Sequence, residues 1–331
     1  MELRRFGNLP LRVSAVGFGT SQLANTDNCY KGVKYIDINI ARELISNSID
    51  AGINFFDTSP NYGSAESLLG EARQKYPKKL IIATKAGLHA NGNRDFSIPF
   101  LQSQINESLK RLKTDRLDIF QLIKPSVENL EDGSLFSFLK HLKKKGIIRY
   151  SGIIIGDIKT GYQSIESGEV DCLQVLYNLI NQETYELIQE AWKKELGVIV
   201  RSPLNSGFLS GAYDYGQTFD PNDARSDFFS GLEFEKRLGL LKKVQKDLDI
   251  SNKELSAVAL KFVISNPYVS VVIPGPSKID QINLCIKIGE QTNLFDEKEL
   301  QRIKKVVSIH FHNQNIVMQN TVPPIAHKAG S

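Results

Sequence analysis

A (β/α)8 TIM barrel preceded by a short β-hairpin is the fold this chain predicts. Eight strand-like apolar runs follow one another, at residues 15–18, 53–56, 80–83, 117–122, 152–155, 172–176, 198–200 and 269–273. Stretches of helical period fill most of the gaps, for example 41–51, 101–112 and 135–145. The runs are continuously apolar and do not alternate with polar residues. That suits strands covered on both faces, hence a parallel sheet. Eight such units favour a closed barrel over an open doubly wound sheet. The length of 331 residues exceeds the point where one core usually splits, but such barrels run as one domain at this size. A single domain over 1–331 is therefore expected. The polar, aperiodic stretch from about 310 to 331, with Pro323-Pro324, reads as a C-terminal arm that covers the site or frays.

Residues 3–7 and 11–13 read as the hairpin. The first barrel run continues into Gly17-Phe18-Gly19-Thr20, which lacks the third glycine and the following acidic residue of a dinucleotide fingerprint. Long connections follow the first run (21–40) and the seventh (205–232). Loops of that length are usually functional or mobile, and both leave the rim where barrel chemistry sits, the C-terminal strand ends. The second run ends in Asp57, and the turn after it presents Tyr62. The third run ends in Lys85, placing Asp57 and Lys85 on one rim. A free phenol has a pKa near ~10, too high for easy proton exchange at neutral pH. A neighbouring ammonium stabilises the phenolate, and a carboxylate holds the ammonium in place. Asp, Tyr and Lys on neighbouring strand ends can thus make a proton-transfer device.

Asp57, Tyr62 and Lys85, in the contexts Asn54-Phe55-Phe56-Asp57-Thr58-Ser59-Pro60-Asn61-Tyr62-Gly63 and Leu80-Ile81-Ile82-Ala83-Thr84-Lys85, resemble three members of the catalytic tetrad of the aldo-keto reductases. The resemblance runs from Arg4 to about Glu290. It implies that the hairpin closes the barrel bottom. It also implies an NAD(P)H-dependent oxidoreductase that interconverts a carbonyl and an alcohol on a small polar, possibly sugar-like substrate, with Tyr62 as proton donor. The implied cofactor is NADP, with NAD as the alternative. Its implied contacts are Gly19 and Thr20 after the first run, Asp57, Gln174 toward the nicotinamide carboxamide, Arg201, Ser202, Pro203, Leu204, Ser206 and Gly207 along the pyrophosphate, and Gly275, Ser277, Lys278 and Gln281 toward the adenosine phosphate.

The chain also departs from the family pattern. The tetrad histidine position, in Leu117-Asp118-Ile119-Phe120-Gln121-Leu122-Ile123-Lys124-Pro125, holds Ile123, which can donate no hydrogen bond. Ile154 and Ile155 stand where a polar pair usually grips the carboxamide, and Leu284 and Cys285 replace a polar pair near the adenine. All four are expected to face the cofactor. His89 lies on the rim and could substitute for the missing histidine; Tyr30, Tyr35, Phe96 and Trp192 are candidate aromatic walls. Two alternatives stay open: a tetrad-depleted barrel doing proton-transfer chemistry, such as elimination or epimerisation, and a non-catalytic cofactor-binding subunit.

Composition narrows the partners. The net charge is +4 and the basic residues are dispersed, which argues against nucleic acid. No segment approaches the ~20 apolar residues of a membrane span. Three widely spaced cysteines, Cys29, Cys172 and Cys285, and an N-terminus without an apolar signal core suit a cytoplasmic protein. His310 and His312 lack further metal-ligand spacing, and no metal is expected.

Overall fold

The computed structural model describes residues 1–23, 36–221, 223–227 and 229–311. Cys29, Tyr30, Tyr35 and the chain from 312 onward, including His312 and most of the expected C-terminal arm, lie outside the described residues. The antiparallel hairpin is β1 (Leu3–Phe6) and β2 (Leu9–Ser14). Eight parallel strands follow: β3 (Phe18–Gly19), β4 (Phe55–Asp57), β5 (Ile81–Ala86), β6 (Leu117–Ile123), β7 (Ile148–Ile154), β8 (Cys172–Leu176), β9 (Gly197–Arg201) and β10 (Val271–Ile273). They pair in chain order. The seam between the last strand and the first is closed by backbone bonds: Gly17 donates to Val272 (2.8 Å), Gly19 to Pro274 (2.7 Å) and Val272 to Ala15 (3.1 Å). Closure removes the free edges of the eight-stranded sheet.

The helices are α1 (Ile38–Asp50), α2 (Ala65–Lys75), α3 (Ile98–Arg111), α4 (Val127–Glu131), α5 (Ser134–Lys144), α6 (Ile158–Ser167), α7 (Tyr185–Lys193), α8 (Gly231–Leu248), α9 (Leu255–Ile264), α10 (Ile279–Gly289) and α11 (Glu297–His310). In α5, Leu135, Phe136, Phe138, Leu139 and Leu142 make one buried face, and His141, Lys143 and Lys144 fill the last turn. Cations there complement the helix dipole. Asp157 caps α6, and Asp296 and Glu299 form a capping box on α11.

Two apolar layers explain the continuous runs. Phe56, Ile82, Phe120, Ile153, Leu173, Val175, Val198 and Val200 point outward to the helices. Phe55, Ala83, Ile119, Tyr150, Cys172, Ile199 and Val271 fill the lumen. Phe6, Leu11 and Val13 of the hairpin join this lumen layer, and Phe6 stacks on Phe55 at 5.8 Å between centroids. The hairpin therefore plugs the N-terminal end, as expected. The plug needs Gly197, because a Cβ there would come within 2.4 Å of the Phe6 ring.

Strict alternation then decides what lies one layer higher. Two residues beyond Phe55, Ala83, Ile119, Tyr150, Cys172 and Ile199 come Asp57, Lys85, Gln121, Gly152, Gln174 and Arg201, all on the inward side at the C-terminal half of the barrel.

Candidate active site

The floor of the C-terminal mouth is a buried polar cluster. Asp57 and Lys85 are each 3 % exposed, and the Lys85 ammonium donates to Asp57 Oδ1. The other carboxylate oxygen, Oδ2, accepts from Gln174 Nε2 (2.9 Å) and, at the long end of the range, from Gln121 Nε2 (3.4 Å). Gln174 also donates to Gln121 Oε1 (3.2 Å). A buried charge is tolerable only with partners of this kind, and removing one partner leaves the other stranded. Gly152 makes the arrangement possible: a Cβ there would come within 2.5 Å of Cys172 Sγ and 3.2 Å of Gln121 Cγ. Burial pushes the Cys172 thiol well up, consistent with a packing role under Gln174.

Tyr62 is half-buried above this floor, and Lys85 Nζ lies 5.0 Å from its ring centroid. That is cation–π range. The turn that presents it is held by Tyr62 N–H to Ser59 O (3.0 Å) and by Asn61 Nδ2 to Leu88 O (3.0 Å). The structure thus brings Asp57, Tyr62 and Lys85 into one contiguous group. Behind β5, Thr84 Oγ1 and Arg111 Nε donate to the two oxygens of fully buried Glu66, each at 2.7 Å. This pair ties α2 and α3 to the strand that carries Lys85. Thr20 is fully buried and gives its hydroxyl to Asp57 O (2.9 Å), so it anchors the strand end rather than facing a ligand with that group.

The next part of the rim is apolar. Ile123 pairs in register with Ile154, and Ile154 with Gln174. Both isoleucines are buried and belong to neither hydrophobic layer, as expected for side chains lining the mouth. Ile155 behaves differently from the expectation. Alternation turns it outward with Ile153 into the helix-facing layer. Cys285, on α10, is buried in that same layer, and Leu284 packs partly buried against it. Burial pushes the Cys285 thiol up to about 12. Only Ile123 and Ile154 of the substituted positions line the mouth.

Other expectations shift. His89 stacks on Phe100 (centroids 3.9 Å apart) and its Nε2 lies 3.2 Å from Asp95 Oδ2, a local use away from the tetrad position. Phe96 packs beside Gly87. Trp192 is 53 % exposed beside Tyr268, near the C-terminus of α7 and hence at the end of the barrel opposite the mouth. His310 pairs with Asp247 (2.7 Å). Among the described residues no three potential metal ligands converge, and no helix is long and apolar enough to cross a membrane.

The remaining expected residues fall in two places on the mouth. Gly19 and Gly275 are neighbours, a Gly275 Cβ lying 3.3 Å from Gly19 O. Ser277 follows, giving its N–H (2.8 Å) and its hydroxyl (3.3 Å) to Gln281 Oε1, and Lys278 stands at the N-cap position of α10 without a side-chain capping bond. From the strand next to β10, Arg201, Ser202, Pro203 and Leu204 leave β9 and continue to Ser206 and Gly207. This segment is strained: Ser202 (φ 54°), Asn205 (47°) and Ser206 (55°) are left-handed, as is Gly207 (90°). Such non-glycine conformations cost roughly 1–3 kcal/mol each and cluster at ligand sites. The loop is clamped by Tyr213, whose hydroxyl donates to Ser206 O (3.1 Å) and receives a bond from Arg225 Nη1 (3.3 Å).

Two further polar residues were not singled out by the sequence. Gln121 was legible as a polar residue at an inward position of a buried strand. Lys124 follows Ile123 in a left-handed conformation (φ 50°), and burial together with the positive charges of Arg201 and Arg94 pushes its ammonium down to about 7.

A profile of the Aldo/keto reductase family matches residues 15–308. The chain belongs to the aldo-keto reductase family. It is similar to L-galactose dehydrogenase of Arabidopsis thaliana, 32% identical over 93% of this chain and 94% of that one. It is also similar to D-threo-aldose 1-dehydrogenase of a Pseudomonas species, 26% identical over 82% and 88% of the two chains. Its fold matches the solved glycerol dehydrogenase of Gluconobacter oxydans with a TM-score of 0.76, at 23% identity over 93% and 95% of the chains. The barrel expected from the apolar runs is thus the barrel of an oxidoreductase family.

Proposed function

We propose that this aldo-keto reductase is an NAD(P)-dependent carbonyl reductase or alcohol dehydrogenase for a small polar, sugar-like substrate. The observation that carries the reading is the buried Lys85 held between the Asp57 carboxylate and the Tyr62 ring. In the reductive direction Tyr62 gives its proton to the carbonyl oxygen. Lys85 stabilises the phenolate left behind, and Asp57 keeps the ammonium aimed. Named sugar dehydrogenases among the relatives support the substrate class.

The mouth suits a dinucleotide. The left-handed run at 205–207 holds this loop in one tight shape, with Asn205 N–H and Gly207 N–H donating to Ser202 O and Leu204 O (each 3.0 Å), as strained segments at ligand sites often do. Beside this loop a Cβ on Gly19 or Gly275 would meet backbone oxygen at 3.2–3.3 Å, so small residues suit this part of the mouth. Arg201, Ser202, Pro203, Leu204, Ser206 and Gly207 would hold the pyrophosphate. Gly275, Ser277, Lys278 and Gln281 would hold the adenosine end, where Lys278 favours the 2′-phosphate of NADP over NAD. Gln174 would reach the carboxamide by exchanging its present bond to Gln121. When bound, the nicotinamide supplies the hydride.

Fluorescence titration with NADPH and NADP-linked turnover of an aldose panel test the reading. Saturable NADPH binding with turnover is expected; no nicotinamide binding at millimolar concentration overturns it. The Ile123–Ile154 pair favours a second reading, proton transfer next to a carbonyl without redox change. Solvent deuterium entering substrate while the nicotinamide stays in one oxidation state would select it.

A further inference from the structure

The turn that carries Tyr62 runs straight into α2, and α2 also grips the strand that carries Lys85. Gly63 reverses the chain in a left-handed conformation (φ 56°), and Ala65 N–H donates to Tyr62 O at 3.1 Å. Glu66 follows in the first turn of the helix. Its side chain is fully buried and accepts, at 2.7 Å, from the hydroxyl of Thr84, the residue just before Lys85. Strand alternation puts Thr84 on the helix side of β5 and Lys85 on the lumen side. The other Glu66 oxygen accepts from Arg111 Nε (2.7 Å) at the end of α3. Gly70, one turn further along α2, lets α3 come this close, because a Cβ there would lie 2.3 Å from Arg111 O. About another turn on, Arg73 pairs with Asp118 of β6, and the same Asp118 oxygen accepts from Ile82 N–H of β5 (3.0 Å). Glu66, Gly70 and Arg73 recur at helical period, so one face of α2 holds β5 at two heights.

We infer that Glu66 is a positioning residue: through Thr84 it fixes the distance between the Tyr62 phenol and the Lys85 ammonium. The inference rests on the proposed proton-transfer role of Asp57, Tyr62 and Lys85 and adds to it a residue on the helix side of the sheet. Tyr62 stands on a turn and Lys85 on a strand, so their spacing depends on what ties turn to strand. Glu66 supplies that tie on one flank of the turn, and Asn61 Nδ2 to Leu88 O supplies one on the other. Lys85 Nζ lies 5.0 Å from the Tyr62 ring centroid, in a buried place where charge interactions change steeply with distance. Packing alone does not call for a buried carboxylate here, since apolar residues commonly replace such pairs at no loss of stability.

The test removes the tie and watches the phenol. Thr84→Val deletes the hydroxyl at nearly constant volume, and Thr84→Ser keeps it. Tyrosine labelled at Cζ is titrated by NMR in each protein, with the Tyr62 signal assigned by its loss in Tyr62→Phe. In Thr84→Val the Tyr62 titration is expected to move up by about 0.5–1 pH unit. The kcat for NADPH-dependent carbonyl reduction is expected to fall about 10- to 100-fold with substrate KM retained. Thr84→Ser is expected to restore both. Glu66→Gln keeps the shape, should shift the titration in the same direction by less, and decides the matter alone if Thr84→Val does not fold. Leu142→Ala opens a cavity in the last turn of α5, at the opposite end of the barrel, and serves as the control for lost stability. It should leave the Tyr62 titration in place. A titration unmoved in every Thr84 and Glu66 variant that folds overturns the inference, whether or not the protein turns over. So does an equal shift in Leu142→Ala, or Thr84→Ser behaving like Thr84→Val. The expected shift in a protein that reduces no carbonyl supports the positioning role and sinks only the reductase reading.

Discussion

The two halves of the barrel mouth are built from the same strand geometry and carry opposite chemistry. On β4 and β5 the inward residues are Asp57 and Lys85, buried, paired and set beneath Tyr62. On β6 and β7 the inward residues at the mouth are Ile123 and Ile154, paired in register. Between them Gln121 and Gln174 close the hydrogen bonding of Asp57 from the side. The contrast shows that the proposed proton-transfer core and the wall that would polarise a carbonyl are separable. The first needs a network of partners behind it and is complete. The second needs one donor, which the isoleucine removes without disturbing the strand, because an isoleucine suits a buried strand as well as any residue.

Breaking the polar half should have the largest effect. Lys85→Met strands a buried carboxylate, so urea denaturation should show a loss of about 3–5 kcal/mol together with loss of carbonyl reduction. If stability were unchanged, the carboxylate would be adequately held by Gln121 and Gln174 alone. Restoring the apolar half should have a smaller, opposite effect on rate. Ile123→His adds one donor beside the reacting oxygen, and turnover should rise about tenfold or more, short of the ~10²–10³ that one such donor is worth where the site is built around it. A fall in turnover would mean that the apolar wall itself serves the substrate. The smallest effect belongs to the boundary. Gln121→Leu removes a long bond to Asp57 and one partner of Gln174, and should cost about 0.5–1.5 kcal/mol of stability by the same denaturation.

The same contrast explains what could be read beforehand. All eight strands were visible because a strand covered on both faces has to be apolar throughout. Their ends were less visible. The run at 53–56 is observed as Phe55–Asp57, shifted toward the polar residue that terminates it, since a carboxylate with buried partners extends the ladder as well as an apolar residue does. The first run survives only as Phe18–Gly19, with Val16 held by an isolated bridge to Val272 at the seam. Asp57, Tyr62 and Lys85 were legible because each sits at or just after a strand end with a distinctive neighbourhood. Ile155 was misplaced because its inward or outward direction depends on strand parity, which a list of substituted positions does not carry. Lys124 was missed for a related reason. Its lowered ammonium follows first from burial and then from the charges of Arg201 and Arg94, which are distant in sequence.

Tyr62 is the proposed proton donor of the intact half. Its most direct test is the steady-state rate of NADPH-dependent carbonyl reduction by wild-type protein and Tyr62→Phe, measured side by side with NADPH affinity. The expected result is a fall in kcat of about 10²–10⁴-fold with cofactor affinity retained. Equal rates in the two proteins would contradict the account.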